Sequence, residues 1–146
     1  ALPNVHVTIL TGRNEKLYHR LHGKYQNIEV VGFTTQVDQY MARAHLMLSK
    51  PGGITVFEAI ASRLPMLVWA PFLEQERENA RFLLDAGMAR LADKEEDACL
   101  YAIESTLYHQ AGLDEMRSAM ERVADTMCRA AVCALVEQLA GEKVDG

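Results

Sequence analysis

Leu46-Met47-Leu48-Ser49-Lys50-Pro51-Gly52-Gly53-Ile54-Thr55-Val56-Phe57-Glu58 is an apolar run that ends in a Gly-rich turn and opens directly into a helical pattern. Leu46 to Leu48 reads as a buried strand, Pro51-Gly52-Gly53 as a turn able to reach φ > 0 and let a ligand approach the backbone, and Thr55 to Ser62 as the helix behind it. A helix beginning there leaves unpaired N–H groups pointing at whatever anion sits at the mouth. A blander reading stands beside this one. Many α/β loops use glycine only to turn the chain, and Thr55-Val56-Phe57-Glu58 fits a Thr-x-x-Glu capping box, which would make Glu58 purely structural.

The same grammar surrounds this stretch. Val5 to Thr11 is β-branched and alternating, and Gly12-Arg13-Asn14 and a helical pattern around Leu17 and Leu21 follow it. Ile28 to Val31 leads through Gly32-Phe33-Thr34-Thr35 to a helix over Val37 to Ala44. Met66 to Trp69 leads through Ala70-Pro71 to a polar helix over Gln75 to Asp85, which Gly87 ends. Ala89 to Leu91 is a last short strand, and Glu95 to Tyr108 and Leu113 to Leu139 read as helices. Strands alternating with helices at this spacing predict an α/β domain, a Rossmann-like parallel sheet with helices on both faces. In the last helix Leu113, Met116, Met120, Val123, Met127, Ala131, Ala134 and Leu135 recur near the helical period, as the core-facing stripe of a docked terminal helix does; a partner groove is the alternative.

Length and composition narrow the classes. A chain of 146 residues, 49% hydrophobic and 24% charged, fits one domain over residues 1–146 and leaves no room for a second full one. A net charge of -5 without a Lys/Arg block speaks against a nucleic-acid surface. No apolar run approaches the roughly 20 residues of a membrane span. The start Ala1-Leu2-Pro3-Asn4 has no signal-peptide pattern, so a cytoplasmic protein is expected. Cys99, Cys128 and Cys133 form neither a disulfide framework nor a CxxC pair. His6, His19, His22, His45 and His109 show no metal-ligand spacing with carboxylates or cysteines, and the pair His19 and His22 reads as a solvated helix face. No metal and no cofactor are expected.

In open α/β sheets, ligands bind beyond the carboxyl ends of the strands, so the loops starting at Gly12, Gly32, Ser49 and Ala70 are expected on one rim. Gly12-Arg13-Asn14, Val31-Gly32-Phe33, Lys50 to Ala59, and Gln75-Glu76-Arg77-Glu78-Asn79-Ala80-Arg81-Phe82-Leu83, taken in order, resemble the carboxy-terminal half of the GT-B glycosyltransferases of the family 28 type. Within it the chain is most similar to the diacylglycerol glucosyltransferase and monogalactosyldiacylglycerol synthase group, and more distantly to the peptidoglycan GlcNAc transferase. The resemblance runs from about Gly12 to Ala89.

It implies that this domain holds a nucleotide-sugar, usually a UDP-sugar, as substrate. The diphosphate would lie against the backbone of Gly52 and Gly53 and the hydroxyl of Thr55. Glu58 would take the ribose diol, two carboxylate oxygens accepting from two hydroxyls. Phe33 and the backbone at Thr34 would line the uracil slot, and Gln75, Glu78 and Asn79 would meet the sugar hydroxyls, a solvated helix start being the alternative for that trio. Binding lost in Glu58→Ala and preserved in Glu76→Ala would support this donor site. An inverting displacement needs its leaving diphosphate stabilised, which a helix N-terminus does by N–H bonds and a dipole worth about 0.3–1 kcal/mol when exposed and up to about 2 kcal/mol when partly buried.

The catalytic residue is not found here: the family's base, typically a histidine, lies in the amino-terminal half, which would also hold the lipid acceptor, so turnover by this chain alone is not expected. The first strand of the family sheet and its Gly-rich loop are missing as well, and in the order 3-2-1-4-5-6 that strand is central. The gap is expected to be filled by closure of the sheet, by self-association or by a partner segment. The resemblance places the work at the cytoplasmic face of a membrane. The alternatives are the donor subunit of a split GlcNAc transferase, a GT-B nucleotide-sugar epimerase and a non-catalytic binding or assembly module.

Overall fold

Each apolar run becomes a strand and each periodic segment a helix, in the order β1 (Val7–Leu10), α1 (Glu15–Leu21), β2 (Ile28–Val31), α2 (Val37–Arg43), β3 (Met47–Ser49), α3 (Gly53–Ala61), β4 (Met66–Trp69), α4 (Glu74–Asp85), β5 (Ala89–Ala92), α5 (Glu96–Leu107) and α6 (Gln110–Gly141). The structure, a computed structural model, describes residues 3–141. Every strand pairing is parallel, with Val7 opposite Ile28, Met47 opposite Met66, and Met66 opposite Ala89. The α/β architecture read from the sequence is therefore present.

Of the three outcomes expected at the sheet gap, closure is not found among the described residues. The strands form two sheets, β1-β2 and β3-β4-β5. A parallel ladder joining β1 to β3 would need both strands to meet edge to edge, and no such pairing exists among the described residues. The chain divides accordingly into two compact units, Ala1–Arg43 and Ala44–Gly146.

In the first unit β1 and β2 carry α1 and α2. Asn14 caps α1 by accepting from the Leu17 N–H at 3.0 Å, the preferred chemistry for a first-turn N–H. His19 and His22 both lie against Tyr18, with centroids 5.5 and 4.7 Å from its ring.

The second unit holds the larger core. Met66, Leu67 and Val68 of β4 are all 0% exposed, so both faces of this strand are covered, as its unbroken apolar run requires. Met66 and Val68 pack with Val56, Ala59 and Ile60 of α3, Ala80 and Leu83 of α4, and Ala119 and Met120 of α6. Leu113, Met116 and Met120 are buried and Val123 and Met127 half-buried, which makes the methionine stripe core along that stretch. Ala134 is exposed. The side chains of Ala131 and Leu135, like Ala1 and Leu2, lie outside the described residues. α6 starts three residues before the predicted Leu113, because the His109 imidazole accepts from the Gly112 N–H at 3.1 Å and supplies its first turn with a cap.

Candidate functional site

In the second unit the site is built where β3 hands over to α3. Pro51 is buried and anchors the turn, and Gly52 serves as the N-cap with φ -66 and ψ 150, with no side chain capping the helix. The capping box expected from Thr55 and Glu58 is absent. The helix begins at Gly53, two residues earlier than predicted, so Thr55 already lies inside the first turn and cannot act as the cap. The expected left-handed glycine turn is also absent: the glycines with positive φ are Gly12, Gly23 and Gly87. Gly52 and Gly53 matter here for the side chain they lack.

The Gly52 N–H donates to the Lys50 carbonyl at 3.0 Å, and the Gly52 carbonyl receives the first helical bond, from Val56 at 2.9 Å. The N–H groups of Gly53, Ile54 and Thr55 have no acceptor among the described residues. A Cβ added at Gly53 would meet nothing within 4 Å, and one at Gly52 would come no closer than 3.9 Å to the Thr55 hydroxyl. Three first-turn amides thus lack an acceptor among the described residues, and the space beside Gly53 is open, an arrangement that suits an oxyanion.

The carboxyl end of β4 supplies the neighbouring loop. Ala70 there adopts φ 44, a left-handed conformation costing a residue with a Cβ about 1–2 kcal/mol, directly before Pro71. α4 starts behind it. Glu76 accepts from the N–H groups of Phe72 at 2.8 Å and Leu73 at 3.1 Å, so it is a helix-capping carboxylate. Those two backbone bonds, assisted by the charge of Lys50, hold its pKa below the ordinary carboxylate value. Asn79 donates through Nδ2 to the Pro51 carbonyl at 2.9 Å, tying α4 to the turn before α3. That bond uses one of its two amide hydrogens. Gln75, Glu78 and Glu58 are exposed.

Phe33 and Thr34 belong to the first unit. There β1 and β2 end side by side, pinned by the Thr11 N–H and hydroxyl, which both donate to the Val31 carbonyl at 2.8 and 3.1 Å. The following loops, with Gly12, Arg13, Gly32 and Phe33, line an open cleft of about 550 Å³. Phe33 is 63% exposed, and the Arg13 guanidinium lies over its ring, 5.0 Å from the centroid. The Thr34 hydroxyl accepts from the Gln36 N–H at 3.0 Å, which holds the loop before α2.

Two participants escaped the sequence reading. Arg13 stands between Gly12, which takes the left-handed φ of 55, and the capping Asn14, and that spacing was the available signal. Glu76 sits at the third residue of α4, where a carboxylate reaches back to the preceding amides. Among the described residues no group of three His, Cys, Asp or Glu side chains could hold a metal ion.

A family model described as "Glycosyltransferase family 28 C-terminal domain" matches residues 1–130. The processive diacylglycerol beta-glucosyltransferase of Staphylococcus carnosus (strain TM300) is 37% identical over 107 residues, which are 71% of this chain and 27% of that protein. The protein of the same name from Staphylococcus aureus (strain Newman) is 32% identical over 134 residues, 86% of this chain and 34% of its own length. The chain thus spans about a third of the length of these relatives. Among solved structures, the glycotransferase of kitacinnamycin superposes with a TM-score of 0.64 at 24% identity, over 88% of this chain and 36% of that one. A spinosyn rhamnosyltransferase complexed with thymidine diphosphate does so with a TM-score of 0.68 at 20% identity, over 93% and 37%. At these identities the likeness establishes the fold, that of the GT-B glycosyltransferases.

Proposed function

The chain belongs to glycosyltransferase family 28 through its C-terminal domain, and from that premise we propose that it binds the nucleotide-sugar of an inverting hexosyltransferase whose acceptor is a lipid such as diacylglycerol. The sugar carrier is a uridine diphosphate. The observation that carries this reading is the open first turn of α3, with three unaccepted amides and no side chain at Gly53 to obstruct an anion. A nucleoside diphosphate leaving group gains negative charge as the glycosidic bond breaks. Fixed N–H dipoles stabilise that charge without reorganising.

The remaining roles follow from chemistry. Thr55 offers a hydroxyl to the diphosphate and Glu58 an ionised carboxylate to the ribose diol. Gln75, Glu78 and Asn79 serve the sugar hydroxyls, with Asn79 also bracing the turn through Pro51. Phe33 supplies an aromatic face and the Thr34 backbone an edge to the base. The base that activates the acceptor hydroxyl belongs to the part of the enzyme outside this chain, as does the lipid pocket. We assign the work to the cytoplasmic face of a membrane, a reading supported by diacylglycerol, a membrane lipid, in the relatives' names. No described helix is long and apolar enough to cross one.

Calorimetric titration with UDP, UDP-glucose, UDP-galactose and UDP-GlcNAc tests this. Uptake of at least one is expected, weakened by Glu58→Ala and unchanged by Glu115→Ala, an exposed carboxylate on α6. No uptake by the folded chain would contradict the proposal and favour an assembly module. Glu76→Ala is unsuited as the control, since it removes the α4 cap.

A further inference from the structure

We infer that Arg13 is a positioning residue for the nucleobase, its guanidinium and the Phe33 ring forming one stacking platform in the cleft at the carboxyl ends of β1 and β2. This rests on the nucleotide-binding reading above and adds a residue and a mode of recognition to it.

The first observation is the pair itself. A guanidinium 5.0 Å from the centroid of an exposed phenyl ring is within cation–π range, and arginine stacks as a plane where lysine cannot. The pair is built rather than incidental. Gly12 turns the backbone through φ 55 immediately before Arg13, Asn14 fixes it immediately after by capping α1, and Thr11 locks the strand end onto Val31. Arg13 therefore has a held backbone on both sides while its side chain stays at the surface.

The second observation is the character of the cleft. Beside Arg13 and Phe33 it is lined by Glu15, Tyr18 and His19. One cation and one carboxylate among three rings make a wall that is close to neutral and largely aromatic. Such a wall suits a neutral planar base. It offers a diphosphate no excess of positive charge, since Glu15 offsets Arg13. A base stacking on a guanidinium–aromatic platform gains affinity with little dependence on which base it is, because every base offers a π face. Choice among bases then falls to edge contacts such as the Thr34 backbone.

The test uses the full chain with UDP, UMP, ADP and inorganic pyrophosphate as titrants, and Arg13→Met, Arg13→Lys, Phe33→Leu and the Arg13→Met/Phe33→Leu double variant. Arg13→Met is expected to weaken UDP, UMP and ADP by similar factors of about two to five, the size of an exposed cation–π contact, while pyrophosphate binding stays unchanged. Arg13→Lys should recover only part of the loss. The double variant should lose less than the product of the single losses, because the two residues act as one surface. Amide resonances of β1 and β2 that stay at their wild-type positions report that the first unit of each variant is folded. Loss of pyrophosphate binding in Arg13→Met would overturn the inference by placing Arg13 on the phosphates. UDP binding equal to wild type in Arg13→Met would overturn it while leaving the proposed function standing. Absence of UDP uptake by the wild-type chain would overturn both.

Discussion

β1 and β4 are parallel strands of four residues each, followed by a turn and a helix, yet they differ in every energetic respect. β4 pairs on both sides, and its Met66, Leu67 and Val68 are fully buried. β1 pairs with β2 alone, and its Val7 and Leu10 are 37% and 39% exposed. Parallel strands are stable when flanked and covered, and a two-stranded sheet alone is marginal. The local pattern thus writes the element, while the number of neighbours decides how firmly it is held. The candidate sites follow the same division. The dense unit leaves three backbone amides at the start of α3 without an acceptor among the described residues, and the thin unit exposes Phe33 in an open cleft.

The largest effect expected from this contrast is in stability. Leu83→Ala, which empties a fully buried position against β4, should cost about 2–5 kcal/mol in denaturant unfolding, whereas Val7→Ala should cost about 1 kcal/mol or less. Equal costs would erase the distinction. Asn79→Ala comes next. It removes the bond to Pro51 and should cost about 1 kcal/mol, and UDP should bind more weakly because the turn before α3 loses its brace.

The site loops were only partly legible in advance, and the reasons are physical. Strand and helix positions follow from periodicity, so β2 and β4 fall on the predicted residues and the other elements within a few. The corner before α3 was legible as a Gly-rich strand-to-helix turn. Its inner geometry was not. Thr55-x-x-Glu58 looks like a capping box in one dimension, but buried Pro51 and the Gly52 cap start the helix before Thr55 is reached. The Asn79–Pro51 bond joins residues 28 apart, which no local pattern encodes. The Arg13–Phe33 contact likewise depends on β1 and β2 ending side by side.

A smaller effect sharpens the contrast through pH. Because the folded pKa of Glu76 is depressed, the stability it contributes is present above the ordinary carboxylate range and is lost as pH falls through that range to the folded value. Glu76→Gln should therefore flatten the acid side of the stability curve of the second unit, read by thermal unfolding from pH 7 down to acid. An unaltered curve would remove Glu76 from the α4 cap. The smallest expected change is from Gly53→Ala. An alanine at the first position of α3 should stabilise by about 0.5 kcal/mol, since glycine is entropically costly there and the added Cβ meets nothing. The same methyl group stands where the anion would approach, so UDP affinity should fall while stability rises.

Anion docking at α3 is tested most directly by amide nuclear magnetic resonance of the full chain during titration with UDP. The N–H signals of Gly53, Ile54 and Thr55 should shift together and saturate, with that of Gly52, already bonded to Lys50, moving less. Saturable UDP binding that leaves those three signals in place would contradict it.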